Sequence, residues 1–348
     1  MRIRVSPFRK ALNTSRRSGK QAGTKEPDRR NPPAGFFDLF PEEEDEKTPV
    51  YATISAEAET EQGLADRGPE TVKAEAEEKT DMRHEVIPLP CTGAELELYL
   101  TDNRAVEPER RRPLALIFPG GAYAWRSDRE AEPVALRLLA LGIQAVVVRY
   151  SVAPARYPKA LEEAAEAVAF ARAHADEWLC DPHRIAVMGF SAGGHAAAHI
   201  GLKWHQMPQG RDCRPDAMIL AYPVITSGEY AHRESIKNLL GGDYERLKEE
   251  MSLERFVRDD TPPVFLWHTR EDGCVPPENS LMLAAELCRH GIDFELHIWP
   301  HGGHGMSLSS DQVYPTGEPD IRPECQEWID MAARWLRETG NGQGKQHG

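Results

Sequence analysis

The chain has 348 residues, of which 40% are hydrophobic and 28% charged, and its formal net charge is −14. That balance excludes collagen-like, coiled-coil and disulfide-scaffold proteins, and its acidity speaks against nucleic acid as the main partner, because phosphate binding needs a basic surface. No apolar run approaches the roughly 20 residues of a membrane span, so no membrane association is expected, and the six cysteines form no CxxC pair, so free buried thiols are expected rather than a disulfide framework or a zinc site.

Residues 1–33 hold ten Lys and Arg against Glu26 and Asp28, and residues 34–85 reverse the balance with sixteen Asp and Glu against five Lys and Arg. Blocks of like charge with few large apolar residues cannot bury enough surface to offset chain entropy. Residues 1–83 are therefore expected to form a disordered, basic-then-acidic extension. Its one apolar island, Phe36-Phe37-Asp38-Leu39-Phe40, reads either as an incidental cluster or as a short motif for an unknown protein partner. The first residues contain no continuous apolar stretch of the kind a secretory signal needs, so a cytoplasmic location is expected.

From His84 the texture changes. Residues 96–100 alternate as a half-buried strand, while 113–118 (PLALIF) and 143–149 (IQAVVVR) read as buried strands. Helices are expected at 130–141 and 159–178, then a strand at 184–188, a helix at 192–202 and a strand at 216–222. A strand at 264–268, a helix at 277–290, a strand at 294–299 and a helix at 323–338 complete the series. Strands alternating with helices predict an α/β domain over 84–340, with a mostly parallel sheet covered on both faces. The first two strands, 96–100 and 113–118, are joined closely enough to pair antiparallel at one edge. Residues 341–348 are expected to be a disordered tail.

Gly189-Phe190-Ser191-Ala192-Gly193 fits G-x-S-x-G. By chance the pattern turns up in roughly one chain in ten of this length, so its placement between an expected strand and an expected helix carries the weight. A sharp strand-to-helix turn lifts the serine oxygen above the carboxyl edge of the sheet and needs small residues two before and two after it. The helix N-terminus then points N–H groups at a forming oxyanion. The alternative is a Gly/Ser capping turn without chemistry. A serine hydroxyl needs a base to take its proton. Asp272 follows the strand at 264–268, with Glu271 as the competing acid. His304 follows the strand at 294–299 in the loop Pro300-His301-Gly302-Gly303-His304-Gly305, with His301 as the competing base. Position relative to the strands favours Asp272 and His304, in the order serine, acid, histidine. Phe118-Pro119-Gly120-Gly121-Ala122-Tyr123 follows an early strand, where acyl transfer needs backbone donors. The expected oxyanion hole is Gly121, Ala122 and Ala192.

These segments together resemble the bacterial esterase/lipase group of α/β-hydrolases, above all its feruloyl/acetyl-xylan esterase-like branch. The residues that carry the resemblance are FPGGAY (118–123), DPHRIAVMGFSAGGHAAA (181–198), TPPVFLWHTREDGCVPPENS (261–280) and HIWPHGGHG (297–305). It spans about residues 85 to 338 and implies an eight-stranded, mostly parallel sheet and a catalytic triad at Ser191, Asp272 and His304. One departure stands out: the family's PGGGY is PGGAY here, with Ala122 in the third glycine place. Alanine keeps its N–H, and its methyl narrows the acyl pocket. The acidic stretch at 34–85 also lies outside the family pattern.

Other chemistries fit less well. His195 and His199 are spaced i, i+4 as zinc ligands can be, but Ala196 stands where a metalloprotease has glutamate, and packing behind the nucleophile is the expected role. No P-loop or Rossmann fingerprint is present, and neither metal nor organic cofactor is expected. Tyr123, Trp125 and Tyr222 follow strand ends and read either as substrate-lining or as core aromatics. Residues 226–256, with His232, Ser235 and Asn238, form an insertion before the acid, too short for a large lid. The leading expectation is a serine esterase removing small acyl groups, acetyl foremost, from a carbohydrate or similar alcohol, its partner being that small-molecule ester. A small-amide hydrolase or peptidase with the same triad, and an inactive scaffold with a partner-binding tail, are the alternatives.

Overall fold

The computed structural model describes residues 82–339. The island at 36–40, the rest of the expected extension up to 81, and the tail at 341–348 lie outside the described residues. Within them the chain forms strands β1 (Met82–Pro88), β2 (Glu95–Thr101), β3 (Arg112–Phe118), β4 (Gln144–Arg149), β5 (Cys180–Phe190), β6 (Ala217–Ala221), β7 (Val264–Thr269) and β8 (Phe294–Trp299). The helices are α1 (Glu132–Ala140), α2 (Lys159–Ala173), α3 (Ala192–Lys203), α4 (Arg233–Leu240), α5 (Tyr244–Leu247), α6 (Glu278–Arg289), α7 (Pro323–Gln326) and α8 (Trp328–Thr339).

The strands form one sheet in the order β1-β2-β4-β3-β5-β6-β7-β8. The pairs β1–β2 and β2–β4 are antiparallel, and every later pair is parallel. The expected pairing of 96–100 with 113–118 does not form. Instead β2 pairs with β4, because β3 is taken on both sides by β4 and β5. A crossover through α1 makes β3 and β4 parallel neighbours. Strand β1 has no apolar signature in the sequence, since it is an edge strand with mostly exposed side chains.

Strand β3 explains why the central strands read as continuous apolar runs. All of it is buried, and its side chains alternate between the two faces of the sheet. Leu114, Leu116 and Phe118 join a core with Leu161, Val168, Ala196 and Leu283, from α2, α3 and α6. Ala115 and Ile117 join a second core with Val134, Leu138, Trp328 and Ala332, from α1 and α8. Helix α3 is buried all round, which accounts for its small residues: a methyl on Gly201 would come within 2.1 Å of the Met218 sulfur. The expected helix at 159–178 ends at Ala173, and the one at 323–338 is interrupted at Glu327. All six cysteines are free; Cys180, Cys213 and Cys325 are buried, whereas Cys91, Cys274 and Cys288 are exposed, contrary to the expectation of buried thiols throughout. No helix among the described residues is long and apolar enough to cross a membrane.

Because β3, β5, β6, β7 and β8 are mutually parallel, the loops that leave their carboxyl ends gather along one edge of the sheet. This is where open α/β sheets place their chemistry.

Candidate active site

Ser191 stands between β5 and α3 with φ 53° and ψ −118°, a conformation that costs a non-glycine residue free energy and that survives only where its surroundings enforce it. The neighbours show how tightly they do so. A methyl on Gly189 would lie 2.3 Å from the Gly193 carbonyl oxygen, and one on Gly193 would lie 2.0 Å from the Phe118 carbonyl oxygen. Both positions therefore exclude any larger residue. The Ser191 amide donates to Ala221 O and its carbonyl accepts from Val224 N, which ties the turn to the end of β6.

The three expected triad residues meet. His304 Nδ1 lies 2.7 Å from Asp272 Oδ2, and His304 Nε2 lies 2.8 Å from Ser191 Oγ. A carboxylate only accepts, so Nδ1 carries the proton and Nε2 is left to accept from the serine hydroxyl. Asp272 is buried and fully engaged. Its Oδ1 accepts the Cys274 and Val275 amides at 2.9 Å each, and its Oδ2 also faces His268 Nε2 at 3.3 Å. Burial alone would push this carboxyl up, but the hydrogen bonds from His268, His304 and the backbone hold it well below the usual carboxylate range. The competing acid and base are found together elsewhere: Glu271 and His301 form an exposed pair at 3.1 Å.

The loop after β3 lies against the nucleophile. A methyl on Gly120 would sit 3.0 Å from Ser191 Cβ. Gly121 (φ 123°), Ala122 (φ 54°) and Tyr123 (φ 56°) are all left-handed. The amides of Gly121, Ala122 and Ala192 have no acceptor among the described residues. The loop is held through its other groups. Pro119 O accepts from Tyr150 Oη at 2.5 Å, Gly120 N donates to Glu130 Oε2 at 2.8 Å, and Ala122 O accepts from Asn238 Nδ2 at 3.0 Å. Asn238 belongs to α4, so the insertion at 226–256 reaches the site and braces this loop.

The three aromatic candidates separate. Trp125 is 56% exposed, and its ring packs on Gly121, where a glycine methyl would come within 3.1 Å of Cδ2. Tyr123 and Tyr222 are each 1% exposed, which corrects their reading as substrate-lining residues. The Tyr123 hydroxyl bonds His195 Nδ1 at 2.9 Å. The Tyr222 hydroxyl donates to Glu130 Oε1 at 2.7 Å, and its ring stands edge-on to His304 with centroids 5.2 Å apart. His195 Nε2 lies 3.3 Å from Met251 O, so both of its nitrogens are taken by protein groups. Burial pushes His195 down to about 4 and His199 well below the ordinary range. Both are neutral packing residues at neutral pH.

Two residues of the site carry no signal in the sequence: Glu130 looks like an acidic residue opening a helix, and His268 like the last residue of a strand. Only contacts across the fold reveal them. Asn238 is singled out in the sequence within the insertion at 226–256, but its contact with the Ala122 carbonyl is seen only in the fold.

Residues 96–287 match the BD-FAE family model. An endo-1,4-beta-xylanase B from Butyrivibrio fibrisolvens is 35% identical over 217 residues, covering 59% of this chain and 34% of the relative. An acetylxylan esterase from Xylanibacter ruminicola is 28% identical over 232 residues, covering 63% of this chain and 47% of the relative. The chain thus spans between a third and a half of these relatives. Among solved structures, an acetyl ester-xyloside bifunctional hydrolase from Caldicellulosiruptor lactoaceticus superposes with a TM-score of 0.65 at 38% identity, covering 74% of this chain and 97% of that one.

Proposed function

The chain belongs to the BD-FAE family of α/β-hydrolases, and from that premise we propose that it is a serine ester hydrolase acting on small acyl esters, acetyl foremost, of a carbohydrate or similar alcohol. The observation that carries the reading is the hydrogen-bonded series Asp272–His304–Ser191, with links of 2.7 and 2.8 Å, beside three amides that have no acceptor among the described residues. In this reading Ser191 Oγ attacks the ester carbonyl carbon while its proton passes to His304 Nε2. Asp272 holds the imidazole in the required tautomer and stabilises its cationic form. The amides of Gly121, Ala122 and Ala192 receive the negative charge that develops on the carbonyl oxygen. Collapse expels the alcohol, which takes its proton from His304, and leaves an acyl-serine. Water, deprotonated by His304, attacks the acyl carbon, and release of the acid restores Ser191.

Two features favour a small acyl group on a sugar. The Ala122 methyl occupies the oxyanion loop where a glycine would leave more room. The exposed Trp125 ring beside Gly121 offers an apolar face for a pyranose. The acetylxylan esterase and the acetyl ester-xyloside hydrolase named above point the same way.

The test is hydrolysis of nitrophenyl acetate, butyrate and octanoate by the wild-type chain, with Ser191→Ala as control. Rates that fall with acyl length and vanish in the variant are expected. Turnover retained by Ser191→Ala would overturn the nucleophile, and octanoate preferred over acetate would overturn the acyl size. Folded wild-type protein that cleaves no ester would redirect the search to small amides.

A further inference from the structure

We propose that Glu130 and Tyr222 are positioning residues that hold the oxyanion loop and the His304 loop in register with Ser191. The inference rests on the ester-hydrolase reading of that site and adds to it two groups that do not touch the substrate.

Glu130 ends a short 3-10 turn (Asp128–Glu130) and is almost wholly buried. It has no Lys or Arg partner among the described residues. Burying a carboxylate without a cation is expensive unless hydrogen bonds replace the lost water. Both replacements come from the site. Oε2 accepts the Gly120 amide at 2.8 Å, in the loop that carries the Gly121 and Ala122 donors. Oε1 accepts the Tyr222 hydroxyl at 2.7 Å. That hydroxyl in turn accepts the Ser307 amide at 2.8 Å, three residues beyond His304. The Ser307 hydroxyl donates to Arg129 O and so closes the circuit back to the residue before Glu130. The Tyr222 ring meanwhile stands edge-on to His304 and to Trp267, with centroids 5.2 and 4.9 Å away.

The backbone explains why such a brace is needed. Ala122, Tyr123, Ser191, Tyr222 and Ser307 all have φ between 36° and 56°, and each lies in a segment that the circuit joins or abuts. Strained backbone persists only where its surroundings over-determine it. Glu130 touches two of these segments directly and a third through Tyr222. A methyl on Gly120 would meet Glu130 Oε2 at 2.8 Å and Ser191 Cβ at 3.0 Å, so the carboxylate, the loop and the nucleophile are in direct stack.

Loosening the circuit displaces the oxyanion donors and the base while leaving the substrate's own contacts in place, so it should lower kcat rather than raise KM. Glu130→Gln keeps the shape but sets an NH2 donor against either the Gly120 amide or the Tyr222 hydroxyl. Tyr222→Phe keeps the ring and removes only the hydroxyl. Each is expected to lower kcat on nitrophenyl acetate roughly ten- to hundredfold, the scale of a misplaced reacting group, with KM little changed. Inhibition by an alkylboronic acid, whose tetrahedral serine adduct uses the same donors, should weaken in parallel. Active sites are counted by organophosphate titration, so that kcat refers to folded enzyme only. The double variant should lose little more than the worse single variant, because both act through one circuit. Wild-type kcat in Tyr222→Phe, or losses that multiply independently, would overturn the proposal; Tyr222→Phe carries the test if Glu130→Gln does not fold. A wild-type chain with no esterase activity would sink both readings, whereas active wild type with unaffected variants sinks this one alone.

Discussion

Asp272 and Glu271 are adjacent acids with different surroundings, and in the proposed mechanism that difference is why the acid's role goes to Asp272. Asp272 is buried, accepts two amides and faces two imidazoles. Glu271 is exposed and pairs with His301 and Arg270. Asp272→Asn offers His304 an amide that can donate, which favours the wrong tautomer, and kcat should fall by roughly 10³–10⁴-fold. Glu271→Gln removes only an exposed pair of a kind worth little, so its kcat should stay within a few-fold of wild type. Steady-state kinetics on nitrophenyl acetate decide the matter, and equal losses would overturn the assignment of Asp272.

The turn from β5 into α3 is where local sequence and packing meet. Its glycines are set by distance to backbone oxygens, which cannot move as a flexible side-chain end can. Gly193→Ala puts a methyl within 2.0 Å of Phe118 O, below any real contact, and must push α3 away from β3 or unwind its first turn. The expected result is loss of turnover with a lowered melting temperature, or no folded protein at all. Wild-type Tm and kcat in that variant would show that the turn has slack the geometry does not predict. Helix α8 supports the site from the other face: Trp328 Nε1 donates to Ser307 O at 2.8 Å, and its ring packs on Phe190 and Trp267. The histidine loop is therefore anchored both to the end of β6 and to this helix.

The folded domain as a whole should be sensitive to acid, for a reason that lies beneath the site. His195 and His199 sit on one face of α3, buried and neutral. Their folded pKa values lie below the ordinary 6.5, so they contribute full stability above pH 6.5 and lose it as pH falls from there. For His195, whose value is about 4, the loss amounts to roughly 3 kcal/mol by pH 4. Asp272, held below its ordinary range, adds its own loss only below about pH 4. Both ring nitrogens of His199 lack a hydrogen-bond partner among the described residues. His199→Leu should therefore raise Tm at pH 7 by roughly 2–4 °C, since an apolar replacement removes an unsatisfied buried group. It should also flatten the fall in stability between pH 6.5 and 4. A lower Tm at neutral pH, or an unchanged acid slope, would contradict this account; thermal unfolding across that range measures both.

Much of this protein is legible in its residues taken in order. The strand and helix succession, the serine turn, and the acid and base that follow β7 and β8 are local patterns: side-chain period, glycine spacing and distance from a strand end. Of the two competing pairs, the favoured base, His304, is the one that bonds Ser191, and the favoured acid, Asp272, is the one that bonds His304. Order along the chain does not say which strands become neighbours, so the pairing of β2 with β4 in place of β3 had to wait for the fold, as did β1, whose exposed edge has no apolar pattern. The same holds for Tyr222 and Glu130. A tyrosine after a strand end looks alike whether it faces substrate or core, and a glutamate opening a helix looks like a solvated cap. Their bond joins residues 92 positions apart, and no local pattern encodes it. Strand periodicity and turn sterics act within a few residues, whereas the burial that turns these two side chains into a brace arises only when three loops are packed against one another at the sheet edge.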